Sequence, residues 1–137
     1  MSAINSRPIV ATLAIVAVLG CSSGTGRPVQ EVSASLDDDG VQRIEVIAHS
    51  YWFEPNRIVV KVNVPVELRA KNGSLVIPHN FTCLAPESGI RIDEGLGMLK
   101  DSEVATFTPT QTGEFPFFCD KGSHAKKGMT GTLVVVP

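Results

Sequence analysis

Residues 117–131 read Phe-Phe-Cys-Asp-Lys-Gly-Ser-His-Ala-Lys-Lys-Gly-Met-Thr-Gly, and this stretch carries most of the information about fold and function. It contains Cys119, His124 and Met129, each five positions after the one before. An apolar run of β-strand character precedes the stretch, and another, residues 132–136, follows it. A loop held between two strands can turn several side chains toward one point, so the spacing predicts a ligand-binding loop.

The three side chains of this loop form a soft donor set of thiolate, imidazole and thioether. A second imidazole would complete the combination of two His, one Cys and a weak axial Met that holds copper in electron-transfer sites. His79 is the candidate for that position, because it lies within a short apolar segment directly after Pro78. The fixed φ of the proline stiffens the segment that presents the histidine.

Each of these four residues also has an ordinary explanation. A single His in a strand usually has a structural role, a buried Cys commonly acts as a small apolar side chain, and a Met beside a strand usually fills the core. The joint arrangement favours a metal site over these explanations. Glycines at positions 122, 128 and 131 permit the tight turns that such a loop needs.

Short alternating segments separated by turn signals predict an all-β fold, a Greek-key β-sandwich of seven to eight strands. No long helix and no internal repeat is predicted. Residues 84–102, with one Pro and three Gly, are expected to form a loop with at most one helical turn. The strands are expected at residues 41–48, 58–62, 66–72, 75–82, 103–108, 114–119 and 132–136.

Residues 41–137 resemble the cupredoxins, the type 1 blue copper family, and in particular its auracyanin and rusticyanin branch. The resemblance rests on Pro78-His79-Asn80, on the segment 113–119 with its terminal Cys, and on the spacing of His124, Met129 and residues 131–135. It implies one type 1 copper with His79, Cys119 and His124 in a near-trigonal plane and Met129 as a long axial ligand. It also implies that Asn80 hydrogen-bonds to the Cys119 loop and steadies it.

The resemblance further implies that electrons enter through the edge of His124, within an apolar surface patch. Lys121, Lys126 and Lys127 would surround that patch with positive charge and steer an acidic partner. The alternative is that these lysines are ordinary solvated loop residues, and the sequence leaves both explanations open.

The N-terminal region predicts export. Residues 1–20 have the pattern of a signal peptide, because the apolar run 9–19 is too short to span a bilayer as a helix. Gly20-Cys21-Ser22 resembles the bacterial lipobox, in which the Cys is acylated, although a cleaved secretory peptide with an incidental Cys21 is the alternative. Residues 21–40, rich in Ser, Gly and Asp, are expected to be a flexible linker, and residues 41–137 the folded domain.

The composition, with 43% hydrophobic and 19% charged residues, is that of a globular domain, and the net charge of −2 gives no reason to expect nucleic acid as a partner. The sequence thus predicts a monomeric electron carrier, not an enzyme, in the periplasm or at the cell surface. It would be anchored to a membrane through lipid and would exchange electrons with redox proteins of the cytochrome or oxidase/reductase type.

Three other functions compete with this prediction. A copper chaperone or sensor without fast electron transfer is the main alternative, but such proteins use exposed Met and His clusters, and this chain has only three Met, including Met1. A copper enzyme would need a further copper site, whereas the chain has only three His. A metal-free interaction module would leave the joint placement of the four donors unexplained.

Other candidate residues carry weaker predictions. Cys83 is expected to be a buried thiol, and His49 a strand-end residue outside the metal site. Met98 is considered only as a spare axial ligand. Asp93 and Glu94 are expected to be surface charges, because no nucleophile is placed beside them.

Overall fold

Residues 27–137, the part of the chain that the computed structural model describes, contain eleven β-strands and two 3₁₀ turns. The 3₁₀ turns are Pro86–Ser88 and Ala125–Lys127. The strands are β1 Glu31–Ser33, β2 Ser35–Leu36, β3 Gln42–His49, β4 Trp52–Glu54, β5 Arg57–Lys61, β6 Val66–Asn72, β7 His79–Ala85, β8 Ile90–Leu96, β9 Ser102–Phe107, β10 Gly113–Phe118 and β11 Thr130–Val136.

The strands form two mixed sheets that pack face to face as a β-sandwich, which confirms the predicted fold class, although residues 27–137 hold eleven strands and not the expected seven to eight. One sheet has the order β1-β5-β11-β10-β7-β8, and the other has the order β2-β3-β6-β9, with β4 paired to β3. Pairing of β5 with β11 and of β3 with β6 is parallel, whereas β10 is antiparallel to both β11 and β7.

The strand between β7 and β9 was not predicted. A loop was expected over residues 84–102, but β8 runs antiparallel to β7 with Leu96 opposite His79 and Ile90 opposite Ala85. Ile90, Ile92 and Leu96 are buried, while Arg91 and Asp93 between them are exposed. This period-two pattern is the signal of a half-buried strand, and the surrounding glycines obscured it.

The segment 31–36 also differs from the expectation of a flexible linker over residues 21–40. β1 pairs in parallel with β5, and β2 pairs with β3. Its side chains are mostly exposed, and besides the backbone pairing the segment is held by an ion pair of Glu31 with Arg57 at 2.8 Å and by Ala34, which packs against the core. The predicted signal peptide and Cys21 lie outside the described residues.

The core between the sheets is built from large apolar side chains that are almost completely inaccessible. Phe53 contacts both Phe81 and Phe117 edge-on, with ring centroids 5.5 and 5.3 Å apart, and Phe81 stacks on Phe117 at 4.6 Å. Ile58 and Leu68 are also fully buried. None of the helical segments within residues 27–137 has the length and apolar character needed to cross a membrane.

The order of β7, β10 and β11 determines where the metal-binding candidates lie. Because β7 and β10 are antiparallel neighbours, the start of β7 and the end of β10 lie at the same end of the sandwich. His79 begins β7, and Cys119 directly follows β10. Met129 directly precedes β11, which pairs with β10 from Phe118–Thr130 to Gly113–Val135.

We expect Gly131→Ala to destabilise the fold. A Cβ at Gly131 would lie 2.2 Å from Phe117 Cζ and 2.6 Å from the carbonyl oxygen of Asn56, so the aromatic core would have to move. Overpacking of this kind typically costs about 1–3 kcal/mol of unfolding free energy, measured by urea denaturation. Gly95→Ala is the matched control, since a Cβ there meets no atom within 4 Å. Equal stability of the two variants would contradict this account of the core.

Candidate metal centre

The loop between β10 and β11 is closed by its own backbone. Cys119 N–H donates to the carbonyl of Met129 at 3.1 Å, and Met129 N–H donates to the carbonyl of His124 at 3.1 Å. Gly122 and Gly128 have φ of 47° and 102°, in the left-handed region that disfavours other residues. The loop therefore folds back on itself, with Cys119 and Met129 paired at its base.

Three side chains converge at this end of the sandwich. One donor atom each from His79, Cys119 and His124 lies within 4.8 Å of the other two, and Cys119 Sγ lies 3.4 Å from His124 Nδ1. His79 and Cys119 are completely buried, whereas His124 is partly exposed. Met129, at the end of the same loop, is also completely buried.

His79 presents one ring nitrogen to the interior of the site. Among residues 27–137, its Nδ1 is the one buried side-chain nitrogen or oxygen that has no hydrogen-bond partner. Its Nε2 lies 3.3 Å from Ser50 Oγ, in the turn between β3 and β4. A buried polar atom without a partner is costly, and a metal ion bound at Nδ1 would remove that cost. With an ion at Nδ1, the proton of the neutral ring would sit on Nε2, where the Ser50 hydroxyl can accept it as a hydrogen bond.

Asn80 ties the start of β7 to the Cys119 loop. Its backbone N–H lies 3.4 Å from Cys119 Sγ, as a donor to sulfur. Its side-chain Oδ1 accepts from Asp120 N–H at 2.8 Å, and its Nδ2 donates to Asp120 Oδ1 at 2.7 Å. These bonds hold the two segments that carry His79 and Cys119 at a fixed separation.

The electrostatics of the site favour neutral imidazoles. The pKa of His79 is lowered from 6.5 to about 4, mainly by burial and then by the neighbouring His124 and His49. The pKa of His124 is also lowered, first by burial and then by the charge of Lys127. A neutral imidazole is the form that binds a metal ion, so both rings are ready for coordination near neutral pH.

An aromatic side chain that the sequence analysis did not assign lies against both histidines. The Tyr51 ring centroid is 4.6 Å from that of His124 and 6.3 Å from that of His79. Ser50 and Tyr51 lie in the turn between β3 and β4, and only the folded chain brings this turn next to β7. No local sequence signal connects Ser50 to His79.

The remaining candidate residues do not belong to the group formed by His79, Cys119 and His124. His49 stacks on Trp52 with ring centroids 4.1 Å apart, and its Nε2 lies 2.9 Å from Glu54 Oε2. Met98 is exposed. Cys83 is a fully buried free thiol, as predicted, and burial raises its pKa to about 12. Asp93 is exposed and accepts a hydrogen bond from Thr82.

The chain belongs to the family of cupredoxin-like domains, whose family model matches residues 10–135. This match confirms the resemblance on which the sequence analysis relied. No protein with a curated description matches the chain.

Solved structures share the fold. The metal-binding domain of the Cu(I)-exporting P-type ATPase CopA of Streptococcus pneumoniae D39 is 25% identical, with a TM-score of 0.58, over 81% of this chain and 100% of that one. Auracyanin of Roseiflexus castenholzii is 21% identical, with a TM-score of 0.61, over 76% of this chain and 99% of that one. The periplasmic domain of cytochrome oxidase subunit II of Bradyrhizobium japonicum is 20% identical, with a TM-score of 0.51, over 69% of this chain and 83% of that one. The last two similarities show the fold alone.

Copper is the cofactor that the family and this donor set define. A thiolate and two imidazoles with a nearby thioether match the preference of copper for soft sulfur combined with nitrogen. His79 belongs to this group of donors, and its buried Nδ1, which has no hydrogen-bond partner, fits a bound ion. The predicted cofactor is thereby confirmed.

We expect Ser50→Ala to weaken copper binding, because it removes the hydroxyl that orients the His79 ring. Loss of a group that hydrogen-bonds a metal-binding histidine typically costs about 10–100-fold in metal affinity. Competition with a chelator would measure the affinity, and Ser50→Thr, which keeps the hydroxyl, should retain most of it. The account of Ser50 is wrong if the Ala and Thr variants bind copper equally well.

Proposed function

We propose that this protein is a mononuclear type 1 copper protein that carries single electrons between redox partners. In this proposal His79, Cys119 and His124 would hold the ion, and Met129 would be a further, weaker ligand. The observation that carries it is the approach of three donor atoms from His79, Cys119 and His124 to within 4.8 Å at one end of the β-sandwich.

The surroundings of the donors suit electron transfer. When bound, copper supplies the one-electron Cu(II)/Cu(I) couple, with thiolate favouring Cu(I) and imidazole accepting both states. Cys119 directly follows β10, which is hydrogen-bonded to β11 on one side and to β7 on the other. Asn80, in β7, also hydrogen-bonds to Asp120, the residue after Cys119. A frame of this kind limits the movement of the ligands when the charge of the ion changes. The buried rings of Phe81 and Phe117 exclude water from the same end of the core.

The partly exposed ring of His124 is the proposed point of electron entry. It lies in a loop that also carries Lys121, Lys126 and Lys127, all exposed. These charges favour an acidic redox protein as the partner, although the chain as a whole is acidic. We propose that the protein works as a monomer and not as an enzyme, because a second, catalytic copper would need more histidines than the three in the chain.

Copper handling without fast electron transfer is the second candidate, and the 25% identity to the copper-loaded domain of a Cu(I)-exporting ATPase favours it. The burial of the donors argues against it. His79, Cys119 and Met129 are completely inaccessible, whereas transfer of copper to another protein requires ligands that an incoming donor can reach.

We expect the Cu(II) protein to show the intense visible absorption of a copper–thiolate bond, and Cys119→Ser to abolish it. Met129→Leu should keep the band and raise the reduction potential, because the axial ligand tunes that potential. Optical spectra and a redox titration of the purified protein measure both effects. A buried thiol elsewhere provides the control, since Cys83→Ser should leave the band in place. A Cys119→Ser variant as strongly coloured as the wild type would refute the assignment.

We also propose that the protein is exported and anchored through an acylated Cys21. The contact of Arg27 with Trp52 lies six residues from that cysteine, a distance of about 20 Å when the chain is fully extended. Such a tether would keep the copper end of the sandwich close to the membrane. A flexible linker that reached to residue 40 would allow a much larger distance. The mass of the mature protein tests this, because an unacylated N-terminus would contradict it.

A further inference from the structure

A cleft of about 370 Å³ opens beside the metal centre. Tyr51 and Trp52, from the turn between β3 and β4, form its aromatic wall, and Gly128 and Thr130 border it from the metal-binding loop. Arg27 and Lys127 bring two positive charges to it from opposite ends of the chain. Tertiary structure alone creates this surface, because residues 27, 51 and 127 are far apart in the sequence.

Both cations are held on the aromatic wall. The Arg27 guanidinium carbon lies 4.1 Å from the centroid of Trp52, and Lys127 Nζ lies 4.0 Å from the centroid of Tyr51. Cation–π contacts of this kind fix a side chain without neutralising its charge. The segment that carries Arg27 is held as well, because Asn56 Nδ2 donates to the carbonyl of Pro28 at 3.1 Å.

The two charges of the cleft are not compensated. Within residues 27–137, Arg43, Arg57 and Lys71 each form ion pairs with carboxylates, but neither Arg27 nor Lys127 has a carboxylate within ion-pair distance. Two uncompensated cations on the walls of a cleft concentrate positive potential there. An anion that enters the cleft would therefore meet both charges together.

The cleft is also close to the proposed ligands. Tyr51 separates it from the metal centre, and the same ring that holds Lys127 on one side lies 4.6 Å from the ring of His124. A group bound in the cleft would thus lie one aromatic ring away from the proposed point of electron entry. Binding there would place a partner protein over His124.

We infer that this cleft is the docking site for a carboxylate side chain of the acidic redox partner, with Arg27 and Lys127 as its two counter-charges. The inference rests on the proposed function and adds the position and the chemistry of the contact. The net charge of the chain is −2, so a large polyanion such as a nucleic acid would be repelled by the rest of the surface. A short acidic segment that places one carboxylate between the two cations of the cleft would meet little of that repulsion.

A titration with the peptide hexaglutamate tests the inference. The isotopically labelled Cu(I) protein is monitored by NMR at low ionic strength, and the indole N–H of Trp52, the only Trp in the chain, reports on the cleft. We expect Trp52 to shift on peptide binding. Arg27→Gln and Lys127→Gln should each weaken the apparent affinity by about two- to fivefold, the effect of losing one exposed charge.

Lys61→Gln is the matched control, because it removes the same charge from the end of β5, where Lys61 pairs with Val136 beside the C-terminus. It should weaken binding by less than about twofold. Equal weakening in Lys61→Gln, or binding that leaves Trp52 unshifted, would overturn the inference.

An electron-transfer measurement separates this inference from the proposed function. In it, hexacyanoferrate(II) gives one electron to the Cu(II) protein and becomes hexacyanoferrate(III). Loss of rate in Arg27→Gln and Lys127→Gln, but not in Lys61→Gln, supports the cleft as the anionic docking site. Equal rates in all three variants with normal copper spectra would refute the cleft alone, whereas a missing visible band in the wild type would refute the copper site itself.

Discussion

The arrangement of the site depends most on the hydrogen bonds of Asn80, which connect the start of β7 to the loop that follows β10. Asn80 forms two hydrogen bonds with Asp120, and its backbone N–H donates to the sulfur of Cys119. His79 is the neighbour of Asn80, and Cys119 is the neighbour of Asp120. A single polar contact between two segments 40 residues apart therefore sets the separation of two donor atoms. Residues that merely share one end of a sandwich would not be positioned this closely.

The β-sandwich supplies the conditions under which that contact is strong. Asn80 and Cys119 are almost completely excluded from water, and hydrogen bonds in such surroundings are stronger than on the surface. The same burial keeps His79 unprotonated and leaves its Nδ1 without a protein partner. His124 differs, because it reaches the surface. The site thus combines a buried side, where His79 and Cys119 are held firmly, and a side at His124 that solvent reaches.

Much of this was predictable from the sequence, and the failures have physical causes. The donors in the last loop share one short segment, so their spacing alone indicated a site, and Pro78-His79-Asn80 added the second histidine. The strand Ile90–Leu96 was missed because glycines interrupt an otherwise regular alternation. The strands at 31–36 were missed because their side chains are exposed on both faces, so no alternation of apolar and polar residues marks them.

The contributions of Ser50 and Tyr51 could not be predicted for a different reason. Both act through contacts between β3–β4 and segments about 30 or 70 residues away, and neither has a motif that marks it. The same holds for the cleft, where Arg27 and Lys127 approach each other only because β1 and β11 both pair with β5. Local patterns predict strands and loops, but such contacts depend on which strands become neighbours.

X-ray absorption spectroscopy at the copper edge of the Cu(II) protein tests the central claim most directly. Convergence of His79, Cys119 and His124 on one ion predicts one short copper–sulfur distance and two copper–nitrogen distances from imidazole rings, with any contribution from Met129 longer and weaker. A first shell made only of nitrogen and oxygen, with no sulfur at bonding distance, would show that the ion does not bind where these side chains meet.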